Sequence, residues 1–500
     1  MVKLSRLVER LGGTCELAGD PELTDVFLDS RRIGAAGSEL FCALPGTTGD
    51  GAAFASQAVA SGATAVLAPR PIAGLSADVA RWVHPAARRV AGEAAALVHG
   101  LPARSQQLVA VTGTNGKSTV VHLVRELLLS IGRRPGAVGT VEWRLFGCPG
   151  EPSTHTTPDA PELVRLCRRN AALGGDSFVL EASSHALDQE RLAGLELDIA
   201  IFTNLGHDHL DYHGDLALYA AAKERLFAYL KPGGAALIHA DDPHAKRMLA
   251  AARGITDRVF TYGTGSRADL FASVTEAGPR GSYLFLEGMG ISRTGFLLPL
   301  LGRHNVQNAM AALAAVLLLG ASPDALLQGL ASVSAPKGRL EEIDLGGRPF
   351  RVFVDFAHTA DALEIVLTTL RGVLGAQERE AGERGRLLCV FGCGGDRDRE
   401  KRAPMGEVVG RLADLAVVTS DNPRSEDPAQ ILRETRAGMR ASRAEVWEEP
   451  DRRRAIRFAL SRAGRGDVVL VAGKGHETWQ QLRSERIPFE DQRVVREELP

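Results

Sequence analysis

A short apolar run, Leu108-Val109-Ala110-Val111, passes into Gly113-Thr114-Asn115-Gly116-Lys117-Ser118-Thr119 and then into a helical stretch from Lys117 to about Ser130. A strand that turns through glycines into a helix gathers backbone N–H groups and the positive end of the helix at one point, a geometry that holds phosphate oxygens. In such a loop Lys117 reaches the β- and γ-phosphates and Ser118 holds Mg²⁺. The general P-loop pattern has a glycine where this chain has Val111, so the match is incomplete, and a plain glycine-rich turn is the competing reading. The strand before and the helix after favour nucleotide binding.

The same strand opens a longer rhythm. Buried-strand candidates follow at 178–181, 198–203 and 235–239 with helices between them, which is the βαβ order of a parallel sheet covered on both faces. Before it, to about residue 100, short apolar strands alternate with Ala-rich helices, with turns at Pro45-Gly46 and Pro69. After Pro336-Lys337-Gly338, strands are expected at 350–356, 387–391, 415–419 and 468–472, each running into a polar loop. That is a second open α/β sheet, whose ligands bind outside the carboxyl ends of the strands. The expected fold is therefore α/β in three domains: a small N-terminal α/β domain over 1–103, a central P-loop parallel-sheet ATPase domain over 104–335, and a C-terminal Rossmann-like domain over 336–500. The Arg/Glu-rich stretch 377–386 reads as a solvated loop or helix end.

Charge excludes some partners. Lys plus Arg total 59 against 61 Asp plus Glu, so no global field favours nucleic acid or an anionic membrane. No apolar run reaches the roughly 20 residues of a bilayer span. Residues 1–13 mix Lys3, Arg6, Glu9 and Arg10 among apolar residues and lack a signal-peptide core. Six scattered cysteines suit a reducing cytoplasm. The expectation is a cytoplasmic protein of small-molecule substrates, with no nucleic acid, no membrane span, and a monomer as the default.

Other segments carry chemistry. Glu181, in Glu181-Ala182-Ser183-Ser184-His185, ends a buried strand and is either an Mg²⁺ ligand or a helix-capping carboxylate. His207-Asp208-His209-Leu210-Asp211-Tyr212-His213 packs three histidines and two aspartates into seven residues, for metal ligation, substrate positioning or simply a hydrated loop. In a helix expected around 218–230, Lys223 shares an apolar stripe with Tyr219, Leu226 or Phe227, and Leu230, so it is either snorkelling or functional. In the third region, four loops after strands bear charge: Asp355-Phe356-Ala357-His358-Thr359, Gly392-Cys393-Gly394-Gly395-Asp396-Arg397-Asp398, Asp421-Asn422-Pro423-Arg424 and Gly473-Lys474-Gly475-His476-Glu477. Any one is ordinary turn chemistry; four together line a crevice.

Taken together these segments resemble the Mur ligases over essentially the whole chain, nearest to the branch that adds the third amino acid of the peptidoglycan stem. The short loop Thr112-Gly113-Thr114-Asn115-Gly116-Lys117-Ser118-Thr119 is similar to that family's own form, which accounts for Val111. The resemblance implies ATP and Mg²⁺, with ATP against Gly113 to Thr119, Asn305 in Gly302-Arg303-His304-Asn305, Arg339 in Gly338-Arg339-Leu340-Glu341, and Asp355. It implies a UDP-muramoyl dipeptide held by Ser30 in Asp29-Ser30-Arg31, Thr156 and Thr157, Ser183, Gln189 and Arg191. It also implies that Lys223 is carbamylated, and that Ser118, Glu181, His209 and the carbamate hold the metal, with Lys117, Glu181, His209 and Lys223 as the catalytic set. A desolvated lysine sheds its proton more readily, as reaction with CO₂ requires.

Asp421-Asn422-Pro423-Arg424 looks like the signature of the diaminopimelate-adding branch, with Arg397, Gly473 and Glu477 completing the pocket and Glu477 facing the distal ammonium. A guanidinium fork grips the distal carboxylate that distinguishes diaminopimelate from lysine. The implied reaction is attack of the D-glutamate γ-carboxylate on ATP to give an acyl phosphate, which the amino-acid amine then displaces, with the third domain closing to exclude water. Phe356, Ala360 and Ala335-Pro336-Lys337 depart from the family's usual residues, outside the charged catalytic roles. A folylpolyglutamate synthase would share the loop without needing the N-terminal domain or Arg424. A P-loop NTPase module would hydrolyse ATP with no acceptor.

Overall fold

The computed structural model describes residues 1–499 apart from 35–36, 47–48, 266 and 383, with no side-chain description at 380–381. The chain separates into two compact units, one of 1–271, 288–290 and 308–329, the other of 272–287, 291–307 and 330–500.

Besides the short pairing of Val2–Lys3 with Glu22–Leu23, the first unit holds two larger sheets. The N-terminal one orders its strands Thr14–Glu16, Ala80–Val83, Ala63–Ala68, Glu39–Cys42 and Asp25–Phe27, all parallel except the first pair. The helix Ala87–Val98 consists mostly of strong helix formers and buries eight of its residues, five of them alanines, so it lies close against its neighbours. Two side chains of Ala160–Ala172 tie the N-terminal sheet down: Arg165 donates to Asp25 at 2.8 Å and stacks over Phe27, and Glu162 pairs with Arg32.

The central sheet runs parallel from Pro135–Val138 through Ser177–Glu181, Gln107–Thr112, Leu197–Phe202 and Leu230–His239 to Val259–Gly263. All five residues of Ser177–Glu181 and the last five of Gln107–Thr112 are buried, as a strand covered on both faces demands. Each Val or Leu so enclosed stabilises by about 1.5–3 kcal/mol. After Gln107–Thr112 the chain builds outward on one side and then on the other. The phosphate-type loop therefore leaves the sheet where strand order reverses.

One expected element differs. The helix predicted over 218–230 is α-helical only at Leu216–Glu224, tightens to a 3-10 turn at Arg225–Tyr229, and gives way at Leu230 to a strand. Leu230 pairs with Leu197, and sheet hydrogen bonding takes its backbone from the helix.

The second unit carries a six-stranded sheet ordered Glu341–Ile343, Arg351–Asp355, Val468–Ala472, Leu387–Cys393, Leu415–Ser420 and Glu445–Glu448, antiparallel only at its first pair. Helices Ala360–Ala381, Arg402–Leu412 and Pro428–Ala437 bury one face, Arg452–Arg462 and Asp491–Glu497 the other. The Thr359 hydroxyl accepts from the Ala362 amide to start the long helix, which stops at Gly382 with φ 69°. The charged stretch from 377 is thus the end of a helix as far as 381; residue 383 within it lies outside the described residues. On the second face, Arg452 forks onto Asp491 at 2.8 and 2.6 Å with both side chains fully enclosed, and reaches the Ala472 carbonyl.

Candidate functional site

The phosphate-type loop is locked into one backbone path. Gly113 has φ 148°, and a Cβ there would lie 1.9 Å from Thr203 Oγ1; one on Gly116, at φ 86°, would lie 2.4 Å from Asn308 Oδ1. Only glycine fits either position. The Asn115 amide donates to Asn204 Oδ1, and Thr203 Oγ1 donates to the Asn115 carbonyl at 2.6 Å, so the end of the neighbouring strand fastens the loop. Lys117 starts the helix Lys117–Ser130, and its ammonium donates to the Gly113 and Thr114 carbonyls at 2.8 and 2.9 Å. Ser118 and Thr119 are buried beside it.

Tyr219 connects this loop to the lysine. Its hydroxyl lies 3.2 Å from Thr114 Oγ1, and its ring carries the Lys223 ammonium 4.2 Å from the centroid. Lys223 is 1% exposed and, among the described residues, has no hydrogen-bond or ion-pair partner. Burial, then the charge of Lys117, hold its pKa well below the ordinary lysine value, against a smaller opposing pull from Asp208. The His209 ring stands 6.4 Å from that of Tyr219 and half-exposed, on a residue whose φ of 54° starts the short helix Leu210–His213.

Glu181 lies level with Val111 on the next strand. Its carboxylate accepts from the Thr140 amide at 2.7 Å and the Thr140 hydroxyl at 3.0 Å, and a Cβ on Gly139 would sit 2.3 Å from it. Thr140 Oγ1 also meets Thr156 Oγ1 at 2.9 Å. Thr157 donates to the Glu181 carbonyl and takes the Ser183 amide, and Ser183 caps the helix Ser184–Asp188. Arg191 donates to the Thr157 carbonyl at 2.7 Å and to Gln189 Oε1 at 2.8 Å. Thr156, Thr157, Ser183, Gln189 and Arg191 are therefore one connected group with Glu181. Ser30 is not joined to it: it is buried in the 3-10 turn Ser30–Arg32 with its hydroxyl 3.4 Å from Gln57 Oε1. His185 stacks edge-on against His209 and His213, and burial followed by their charges drops its pKa to about 4.

In the second unit, Arg424 is half-buried with φ 52° and donates to the Gly395 carbonyl at 2.6 Å. Burial and the neighbouring Arg397 both disfavour its charged form. Arg397 is exposed. Gly473 has φ 114°, and a Cβ there would meet Asp421 Oδ2 at 2.8 Å. Asp421, Asn422 and Pro423 are buried. Glu477, expected to face a ligand ammonium, already accepts from Lys474 at 2.6 Å and Asn422 Nδ2 at 2.9 Å through one oxygen, Oε2. Lys474, fully buried, went unassigned in the sequence reading, although its place between two glycines just after the enclosed strand Val468–Ala472 marked it. Asp355 is buried, accepts from the Leu340 and Ala357 amides, and has its pKa raised by burial against the pull of Arg339, whose guanidinium lies over Phe356. Asn305 donates to the Leu301 carbonyl. Thr140 was also missed, and Tyr219 was read only as part of the apolar stripe around Lys223. All six cysteines are free thiols.

A parallel sheet with a glycine-locked loop and helix at its reversal point defines the first unit as a P-loop α/β protein. The Mur ligase middle domain matches residues 111–316, and the "Mur ligase, glutamate ligase domain" matches 338–475. The chain belongs to the Mur ligase family. It is 40% identical to a UDP-N-acetylmuramoyl-L-alanyl-D-glutamate–2,6-diaminopimelate ligase of Geobacillus thermodenitrificans (strain NG80-2), covering 99% of each chain. It is also 40% identical to the protein of that name from Gloeobacter violaceus (strain ATCC 29082 / PCC 7421), over 100% of this chain and 98% of that one. A solved structure carrying the same enzyme name superposes with a TM-score of 0.68 at 36% identity, covering 95% of this chain and 94% of that one.

Proposed function

We propose that this chain is the ATP-dependent ligase that joins meso-diaminopimelate to the D-glutamate γ-carboxylate of UDP-N-acetylmuramoyl-L-alanyl-D-glutamate, a step of peptidoglycan synthesis in the cytoplasm. Two observations carry the reading. Full-length relatives at 40% identity bear that activity in their names, and the acceptor loops here hold Arg424 half-buried near Arg397, guanidinium groups suited to a second carboxylate.

On the donor side, Gly113 to Thr119 hold the ATP phosphates, and Lys117 exchanges its two loop carbonyls for phosphate oxygens. Asn305, Arg339 and Asp355 serve the nucleotide as well. The donors Ser118, Glu181, His209 and a carbamylated Lys223 are mostly hard oxygens, which fits Mg²⁺. Glu181 keeps free lone pairs beyond the two hydrogen bonds from Thr140, and Lys223 has a buried amine, without a hydrogen-bond or ion-pair partner among the described residues, of the kind that carbamylation consumes. Bound Mg²⁺ would supply neutralisation of the charge that develops on the phosphoryl oxygens. Ser30, Thr156, Thr157, Ser183, Gln189 and Arg191 hold the UDP-muramoyl dipeptide, whose γ-carboxylate attacks the γ-phosphorus in line and releases ADP. The acceptor amine, oriented by Arg397, Asp421, Asn422, Pro423, Arg424, Gly473 and Glu477, attacks the acyl phosphate, and phosphate leaves. The division into domains at 103/104 and 335/336 and a monomeric state are part of this proposal.

The test is phosphate release with ATP, Mg²⁺ and the UDP-muramoyl dipeptide, with meso-diaminopimelate or L-lysine as acceptor. Release that depends on diaminopimelate and nearly vanishes with lysine is expected, because lysine leaves Arg424 unpaired. Equal use of both acceptors contradicts the role of Arg424, and release indifferent to either contradicts the ligase.

A further inference from the structure

Beneath the two loops that carry Arg397 and Arg424 lies an ion pair with no part in the reaction as described. Arg402, 0% exposed at the start of the helix Arg402–Leu412, donates through Nη2 to both oxygens of Glu426, at 2.9 and 3.0 Å, and to the Gly394 carbonyl at 3.3 Å, and through Nη1 to Glu434 at 2.6 Å. Glu426 in turn accepts the Asp396 amide at 2.6 Å and Arg399 at 3.0 Å. That one carboxylate therefore grips the loop after Leu387–Cys393 while belonging to the segment that follows Arg424.

The loops it joins are already in unusual conformations. Asp396 and Arg424 both hold left-handed backbone, at φ 51° and 52°. The Asp396 carboxylate accepts from the Ser425 amide and hydroxyl, the Gly395 amide donates to the Asn422 carbonyl, and Arg424 returns a bond to the Gly395 carbonyl. Non-glycine residues persist at positive φ only where the surroundings hold them. Of these holding bonds, those to Glu426 are anchored in the core, through a guanidinium that is itself enclosed. The charge pairing also keeps the Glu426 carboxyl ionised, its pKa drawn down to about 2 by the hydrogen bond from Arg402.

We propose that Arg402 and Glu426 are positioning residues for acceptor recognition: the pair sets the spacing of the 394–398 and 421–426 loops and so aims the Arg424 guanidinium. This rests on the reading of those loops as the diaminopimelate site. The pair touches no substrate. Its loss therefore shows in acceptor binding and selectivity, and spares the binding of nucleotide and UDP-dipeptide.

The experiment is steady-state kinetics on the full-length enzyme with Glu426→Gln, which keeps the shape and an oxygen for the Asp396 amide but removes the charge facing Arg402. KM for meso-diaminopimelate is expected to rise about tenfold, as for a misaimed binding group. The preference for diaminopimelate over L-lysine should fall with it, while KM for ATP and for the UDP-dipeptide stays within about twofold. Arg402→Lys, which reaches one carboxylate instead of two, is expected to show the same split and serves if Glu426→Gln does not fold. Glu434→Gln weakens a contact of Arg402 that lies outside both loops, so it should leave all three KM values unchanged. An unchanged acceptor KM in Glu426→Gln, or a fall in kcat with every KM unchanged, overturns the inference; so does an equal effect of Glu434→Gln. A wild-type enzyme that releases no phosphate in response to diaminopimelate would instead overturn the functional reading beneath it.

Discussion

Replacing Lys223 with Met separates a residue kept for chemistry from one kept for stability. Methionine fills the space of the lysine stem without its amine, and Lys223 is 1% exposed with no ionic or hydrogen-bonded partner among the described residues. Such an ammonium is relieved by losing its proton, which at pH 7 costs about 5 kcal/mol for a group with an ordinary pKa near 10.4, and at pH 9 about 2 kcal/mol. These values bound what the wild type forfeits. The sign follows from burial lowering the folded pKa: between that lowered value and about 10.4 the unfolded chain binds the extra proton, so wild-type stability rises with pH. Lys223→Met should therefore be more stable than wild type at pH 7, by up to about 5 kcal/mol, and the advantage should shrink by up to about 3 kcal/mol by pH 9. Urea unfolding in CO₂-depleted buffer at both pH values measures this, alongside turnover with bicarbonate present, which the variant should lose. A variant less stable than wild type at both pH values, or one with wild-type turnover, refutes the reasoning.

Three other outcomes are expected. Gly113→Ala places a Cβ 1.9 Å from Thr203 Oγ1 and should abolish ADP binding in calorimetry; wild-type affinity would contradict the loop geometry. Arg452→Met leaves Asp491 buried without its partner and should lower stability by about 3–5 kcal/mol in urea unfolding, with much of the loss recovered in the double variant Arg452→Met/Asp491→Leu. For His185, folded pKa about 4, the unfolded chain takes up its proton first as pH falls through about 6.5, so stability declines from there to about 4. His185→Gln should flatten that decline in thermal melts, and an unchanged slope would assign it to other groups.

Much of the fold was legible because its strands are enclosed on both faces. A run such as Val468-Val469-Leu470-Val471-Ala472 has few alternatives to a central parallel strand, and it appears with the expected bounds. Gly113 and Gly116 were legible for a similar reason, since each holds a backbone angle that excludes side chains. The end of the helix at Glu224 was not, because Arg225–Tyr229 continues a helical spacing and only pairing with a distant strand stops it. Glu181 was picked out as a strand-end carboxylate, but its Thr140 donors, 41 positions away in the chain, carry no local signal. The motif around Gly473 was visible, yet that Lys474 occupies the Glu477 carboxylate depends on Asn422, brought in from another loop. Periodicity reports which residues are enclosed; it says little about which polar groups meet there.

The most direct measurement offers the enzyme ATP, Mg²⁺, the UDP-muramoyl dipeptide and an equimolar mixture of meso-diaminopimelate and L-lysine, and weighs the product by mass spectrometry. The expected product is UDP-muramoyl tripeptide containing diaminopimelate, with almost no lysine product. A lysine-containing product in comparable amount, or ATP consumed with no tripeptide of either kind, would contradict it.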